Sequence, residues 1–143
     1  MHTLTMTEQF DAPVERVYRA WSSAAEIERW FAPGAMRVPE AEVDLRPGGR
    51  YRIVMEDTDG SRHIVTGEYR EVTPNARLAF TWQWEGSDAI TFVEVEFRAI
   101  DAGSTELKLV HTRFETEALR DRHGQGWGGC LANLQKSLAN AAQ

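Results

Sequence analysis

The sequence predicts an α+β domain in which a seven-stranded antiparallel sheet is covered by one long C-terminal helix. Apolar and polar residues alternate along seven short stretches, and the last six of these are separated only by turn sequences. Two short stretches with helical spacing lie between the first and second predicted strands. The tail from residue 116 to residue 142 repeats apolar residues every three or four positions, which is typical of one helix face.

The N-terminal part of the chain supplies the first strand and the two short helices. Alternation over residues 4–10 predicts a half-buried strand. Asp11-Ala12-Pro13 indicates a helix start, because proline is tolerated in the first turn. A second helix is expected to start at Ser23, where Glu26 follows three residues later and predicts a capping box, and to end at Pro33-Gly34.

The six remaining strands follow one another through short turns, which predicts an antiparallel meander. Pro39 indicates that the second strand lies at a sheet edge. In the strand of residues 63–72, an inward face with Val65 and Tyr69 competes with one that has Ile64 and Val72. The apolar face of such a sheet needs a cover, and only the tail helix is long enough to provide it. The inward residues predicted for the other strands are Tyr51, Ile53, Met55, Leu78, Phe80, Trp82, Trp84, Val93, Val95, Phe97, Leu107, Leu109 and His111.

Four glycines in six residues interrupt the middle of the predicted tail helix, in Gly124-Gln125-Gly126-Trp127-Gly128-Gly129. Each glycine costs a helix about 0.5–1 kcal/mol relative to alanine. One interpretation is a break near Gly124 and Gly126, with the main helix running from about Gly126 to Asn140. Another is that Gly128 and Gly129 leave empty space beside Trp127, so that the helix forms the wall of a cavity.

Composition excludes several classes of partner. Sixteen basic residues face 22 acidic ones without a basic run, which disfavours nucleic acid and anionic membranes. Cys130 is the only cysteine, so we expect no internal disulfide and a reducing compartment. The N-terminus lacks the pattern of a signal peptide, and no apolar run approaches the ~18–20 residues of a membrane span, so a cytoplasmic location is predicted. Four histidines without a ligand motif predict no metal site, and no cofactor is expected.

Four motifs, in order along the chain, resemble the START-like (SRPBCC) helix-grip superfamily. Residues 10–21, from Phe10-Asp11-Ala12-Pro13 to Ala20-Trp21, resemble its opening. Trp30-Phe31-Ala32-Pro33-Gly34 resembles the tryptophan–proline signature of one branch, which Asp44-Leu45-Arg46-Pro47-Gly48-Gly49 and Gly126-Trp127 also match. That branch is the family named after the C-terminal domain of the activator of the heat-shock protein 90 ATPase. The resemblance covers nearly the whole chain, taken as one domain of residues 1–143, and implies a curved sheet that grips the C-terminal helix over an apolar cavity.

The resemblance implies binding of a small apolar or amphipathic molecule of unassigned identity. It also suggests a stress-response context and, as an alternative, a co-chaperone-like protein interaction. The namesake co-chaperone has an additional N-terminal chaperone-binding domain, whereas this sequence begins at the first predicted strand, so we do not expect chaperone activation. Because the wider superfamily includes cyclases and dehydratases, a further alternative is an enzyme that uses His111 with Glu8, Glu68 or Glu94.

The candidate ligand-binding residues lie on the inward face of the sheet and on the tail helix. His111 is the polar group from which we expect ligand selectivity, because pockets carry few convergent polar groups. The alternative is that His111 and the tryptophans simply fill the core. No catalytic residue and no metal ligand is assigned. The predicted site comprises Met55, Trp82, Trp84, Phe97, His111, Trp127 and Cys130.

An apolar cluster near the end of the second short helix predicts an interaction surface. Trp30, Phe31, Pro33 and Met36 lie beside the predicted edge strand. Exposed apolar patches mark interfaces, so we expect a homodimer contact or a cavity lid at this place.

Overall fold

The first strand, two short helices, six further strands and a long helix follow one another in the computed structural model, which describes residues 1–141 and side chains through residue 139. Residues 142 and 143 of the predicted single domain lie outside the described part of the chain. The elements are β1 (His2–Phe10), α1 (Val14–Ser22), α2 (Ala24–Trp30), β2 (Arg37–Val43), β3 (Arg50–Glu56), β4 (Arg62–Thr73), β5 (Arg77–Trp84), β6 (Ile90–Asp101), β7 (Ser104–Phe114) and α3 (Glu117–Ala141).

All seven strands form one antiparallel sheet in the order β1-β7-β6-β5-β4-β3-β2. The predicted α+β architecture is therefore confirmed, as is the meander of β2 to β7. The last strand, β7, also pairs with β1. The second strand lies at a sheet edge, as Pro39 indicated, and its register with β3 shifts between Arg37 and Glu40 around this proline. Since proline cannot donate to the ladder, an edge with a register shift accommodates it.

The face of β4 with Val65 and Tyr69 is the inner one, and a bulge adds Val72, but not Ile64, of the competing face to the core. Val65 and Tyr69 are buried on the inner face. The pairing with β5 shifts between Tyr69 and Glu71, after which Val72 pairs with Leu78 and packs against the core. One extra residue inverts the alternation of a strand, so no single period describes it.

Helix α3 is continuous through all four glycines, and the predicted break near Gly124 and Gly126 is wrong. The expected continuous helix from about Gly126 is confirmed, although it begins earlier, at Glu117. Tertiary packing outweighs the low intrinsic helix propensity of glycine here, as it does for most protein helices. Its buried stripe consists of Trp127, Cys130, Leu131, Leu134 and Leu138.

Gly129 allows α3 to touch the loop between α2 and β2. A Cβ atom at this position would lie 2.9 Å from Cβ and 3.1 Å from Cα of Pro33. Asn133, one turn further on, donates from Nδ2 to the carbonyl oxygens of Ala32 at 2.5 Å and Gly34 at 3.3 Å. The prediction of empty space at Gly129 is therefore wrong, because the backbone of the loop fills that space.

The other helical glycines differ in what they face. A Cβ atom at Gly128 would meet only Cε of Met6, at 4.0 Å, and one at Gly124 would meet Cδ1 of Leu4 at 3.3 Å. At Gly126 a Cβ atom would have no neighbour within 4 Å. The space that the glycine pattern indicated thus lies at Gly126.

Two details of the α1–α2 region differ from the predictions. Ser23 is the N-cap of α2 but its side chain makes no capping hydrogen bond, so the capping box is wrong. Glu26 pairs instead with Arg16 of α1, with 3.0 Å between Oε2 and Nη1. A tertiary ion pair in partly buried surroundings has replaced the local contact.

The apolar cluster at the end of α2 is not an exposed patch. Trp30 and Phe31 are only 2% and 3% exposed, and the Trp30 indole donates to the Ala20 carbonyl oxygen at 2.8 Å. The homodimer stays a prediction, but the exposed apolar patch that was expected to support it is absent at these two residues. Pro33 and Met36 are partly buried. Among the residues that the structure describes, no helix is long and apolar enough to span a membrane.

We predict that Gly129→Ala destabilises the protein while Gly128→Ala does not. Both substitutions remove the same helix penalty of about 0.5–1 kcal/mol. Only the first drives a methyl group into Pro33, and overpacking of this kind costs about 1–3 kcal/mol. In urea unfolding, the free energy of unfolding of Gly128→Ala should therefore be higher than that of the wild type. That of Gly129→Ala should be lower than that of Gly128→Ala. Equal stabilities of the two variants would contradict the close contact.

Candidate ligand-binding pocket

A pocket of about 510 Å³ lies between the sheet and α3. Its size falls within the ~300–1,000 Å³ that is usual for small-molecule sites. The α2–β2 loop, three neighbouring strands and the first half of α3 contribute its walls. The lining residues are Phe31, Pro33, Met36, Met55, His63, Trp82, Trp84, Leu119, Arg122, His123, Gly126, Trp127 and Cys130.

The structure brings most of the candidate residues to this pocket but leaves two outside it. The lining includes Met55, Trp82, Trp84, Trp127 and Cys130. The other two, Phe97 and His111, do not line it. The Phe97 ring packs against Tyr18 at 5.4 Å and Trp21 at 6.3 Å between centroids, on the α1 side of the core.

The pocket wall is built around Trp82. Its ring centroid lies 5.1 Å from that of Trp127 and 5.5 Å from that of Trp84. Trp82 and Trp84 share one face because side chains alternate along a strand. The Trp82 indole N–H is buried without an acceptor among the described residues, which costs about 1–3 kcal/mol.

His111 holds Trp127 in place from behind the pocket wall. The ring is fully buried, and its Nδ1 accepts the indole N–H of Trp127 at 3.1 Å. Because an indole nitrogen can only donate, the neutral imidazole carries its proton on Nε2 and donates to Oγ1 of Thr91 at 2.6 Å. The Thr91 hydroxyl in turn donates to the Trp82 carbonyl oxygen at 3.3 Å. Burial, and to a lesser degree His123, lowers the pKa of His111 to about 3, so the ring is neutral at neutral pH.

His123 plays the same part for the second lining tryptophan, and the sequence did not single it out for the pocket. Its Nε2 accepts the indole N–H of Trp84 at 3.0 Å, and its Nδ1 donates to the Leu119 carbonyl oxygen at 2.8 Å. Burial lowers the pKa of His123, the Leu119 carbonyl opposes this shift, and the nearby Arg122 charge adds to it. The four-residue spacing between His123 and Trp127 is the sequence signal that could have placed both on one face of α3.

The carboxylates considered for acid–base chemistry lie away from the pocket. Glu8 is exposed on β1. Glu68 pairs with Arg70 at 3.3 Å, and Glu94 pairs with Arg77 at 3.3 Å. None of the three lines the pocket or bonds to His111.

Cys130 is a buried part of the pocket wall. Burial raises the pKa of its thiol to about 12, so the thiolate needed for nucleophilic attack is scarce at neutral pH. Within residues 1–141, no group of three or more His, Cys, Asp or Glu side chains is arranged to hold a metal ion. The lining therefore offers aromatic and aliphatic surface with few polar groups.

A seven-stranded antiparallel sheet that packs on a long C-terminal helix defines this protein as a START-like helix-grip domain. The chain belongs to the family described as Activator of Hsp90 ATPase homolog 1-like protein, whose model matches residues 11–139. The implied family and fold are thereby confirmed. A comparison with curated proteins finds no match.

Solved structures of similar proteins share the fold over almost the whole chain. An AHSA1 protein from Silicibacter pomeroyi is 25% identical, with a TM-score of 0.88 and coverage of 98% of this chain and 99% of the other. A protein from Rhizobium leguminosarum is 29% identical, with a TM-score of 0.74 and coverage of 97% and 95%. An AHSA1-like protein from Aeromonas hydrophila is 25% identical, with a TM-score of 0.83 and coverage of 99% and 94%.

We predict that His111 makes folding stability depend on pH. Its pKa of about 3 in the folded state lies below the ~6.5 of an unfolded chain, so its contribution is complete above pH ~6.5. As the pH falls from ~6.5 toward 3, the unfolded state takes up the proton first and stability declines by about 1.4 kcal/mol per pH unit. Urea unfolding between pH 7.5 and 4.5 should show this slope in the wild type and a shallower one in His111→Gln.

Parallel stability curves for the wild type and His111→Gln would show that His111 is not buried in its neutral form.

Proposed function

We propose that this protein binds a small apolar or amphipathic molecule in the pocket between α3 and the sheet. The observation that carries the proposal is Gly126. It lies on the pocket face of α3, and a Cβ atom there would meet nothing within 4 Å. A glycine in mid-helix costs stability, and no close contact with backbone explains this one, unlike Gly129. Ligand binding explains this glycine, because it requires an open volume beside the aromatic walls.

The walls are suited to binding because they are held before a ligand arrives. Trp84 and Trp127 are each fixed through the indole N–H to a histidine acceptor. Side chains that are already ordered lose little entropy on binding, which leaves more of the contact energy as affinity. Burying about 100 Å² of apolar ligand surface in such a pocket contributes about 2.5 kcal/mol.

Two exposed polar residues that line the pocket are His63 and Arg122. The prediction that His111 bonds a ligand directly stays a prediction. Both of its ring nitrogens are engaged, by Trp127 and Thr91, so a ligand would have to displace one of them. The geometry favours an indirect part for His111, in which it keeps Trp127 in position.

The alternative functions lack a specific supporting contact. An enzyme using His111 needs a carboxylate beside it, and the bonded neighbours of His111 are Thr91 and Trp127. A chaperone contact rests on the family, a cytoplasmic location rests on the composition, and the homodimer lacks the exposed cluster on which it was predicted. All three stay proposals of lower rank than small-molecule binding.

We predict that Gly126→Leu abolishes binding without loss of stability. The added side chain enters the pocket, where nothing lies within 4 Å of its Cβ, and leucine is the better helix former by several tenths of a kcal/mol. Titration with the neutral dye N-phenyl-1-naphthylamine should show at least about tenfold weaker binding, corresponding to ~1.4 kcal/mol, and urea unfolding should show no loss.

Gln125→Leu is the control, because it adds the same side chain to the same helix at an exposed position that does not line the pocket. It should bind the dye as the wild type does. If Gly126→Leu retained full affinity, the dye would be bound elsewhere and the pocket would lose its assignment.

A further inference from the structure

We propose that the ligand of this pocket is an amphipathic carboxylate, whose head group binds to Arg122 and whose apolar body lies against Trp82 and Trp84. This inference rests on the proposed small-molecule binding and adds the chemical class of the ligand. It follows from the distribution of charge around the pocket.

The first observation is that the charge of Arg122 is not neutralised by an ion pair. Among the described residues, no carboxylate lies within ion-pair distance of it. Arg120, two residues earlier in α3, is paired with Glu117 at 3.2 Å and with Asp121 at 3.1 Å. The two arginines share one helix, yet only Arg122 lines the pocket.

The second observation is that no acidic residue lines the pocket within the described part of the chain. This is unexpected in a protein with a formal net charge of −6. Among the described lining residues, Arg122 is the one arginine, lysine, aspartate or glutamate on an otherwise apolar and aromatic wall. A cation at the end of an apolar wall complements a molecule with an anionic head and an apolar body.

The third observation is that the charges next to the pocket are already matched. A shallower depression adjoins it and shares His63 and Trp84. Arg62 in that depression pairs with Glu56 at 3.0 Å, and Glu85 approaches Arg52 at 3.8 Å. These neighbours leave Arg122 as the group whose charge is available to a ligand.

The chemistry of the head group follows from the guanidinium. Its planar donor fork binds carboxylates and phosphates through two parallel hydrogen bonds, whereas it repels an amine. His123 does not compete for the head group, because both of its nitrogens are bonded within the protein. His63 is exposed, also lines the pocket and offers a ring N–H as a second donor. One arginine with one further donor matches a carboxylate better than a doubly charged phosphate.

The test compares ligands that differ only in the head group. Decanoate, decyl phosphate, 1-decanol and decylamine are titrated into the protein, with intrinsic tryptophan fluorescence as the signal. The concentration of 1-decanol is kept below its solubility limit and that of each other ligand below its critical micelle concentration. Because Arg122 is exposed, we expect decanoate to bind about two- to fivefold more tightly than 1-decanol at low salt. Added salt should reduce this ratio, and decylamine should bind more weakly than 1-decanol.

Two variants assign the preference to Arg122. In Arg122→Gln, decanoate should bind no more tightly than 1-decanol. Arg120→Gln removes the same charge from the same helix away from the pocket and should retain the preference. If the wild type bound decanoate and 1-decanol equally, the carboxylate inference would be overturned while the proposed function stood.

The remaining outcomes are also decisive. Tighter binding of decyl phosphate than of decanoate would overturn the carboxylate assignment in favour of a phosphate head group. A preference that survives in Arg122→Gln would overturn the part assigned to this residue. Failure of all four ligands to bind to the wild type would overturn the proposed function, and the inference with it.

Discussion

The position of Trp127 is the constraint on which the rest of this structure depends. Its ring stacks on Trp21 of α1 at 5.7 Å between centroids and contacts Trp82 of the sheet at 5.1 Å. One side chain thus connects the long helix with the N-terminal helices and with the central strands. Its indole N–H is satisfied by His111, whose other nitrogen is bonded to Thr91. A buried indole N–H without an acceptor costs free energy, and a neutral histidine supplies the acceptor without placing a charge in the core.

The glycines of α3 show how one helix both closes the fold and leaves space in it. Gly129 permits backbone contact with Pro33, and Asn133 reinforces this contact by bonding to the same loop. Gly126, three residues earlier, faces the pocket, and the space where its Cβ atom would lie has no neighbouring atom within 4 Å. The first glycine is explained by packing and the second by the volume beside it. A helix with this composition would be poorly stable in isolation, so the sheet and the loop must provide its stability.

Much of the fold could be predicted because burial imposes a period on the chain. The alternation in β5 placed Trp82 and Trp84 on one inner face, and the three- and four-residue spacing of the tail placed Trp127 on the buried side of α3. Local rules failed where a distant partner competed with a local one. Glu26 forms an ion pair with Arg16 instead of capping α2. The register shift in β4 means that one alternating pattern does not describe the whole strand.

By itself, the sequence determined the order of the elements, the antiparallel sheet, the edge position of β2 and most of the residues that face inward, because each of these depends on local periodicity and turn chemistry. Only the tertiary structure decided which inward residues surround open volume and which are closed off behind them. His111 and His123 each occur among regularly spaced apolar residues in the sequence, yet of these two histidines only His123 lines the pocket. Arg122 gave no signal at all, since whether a charge is paired depends on the three-dimensional arrangement of residues distant in the chain.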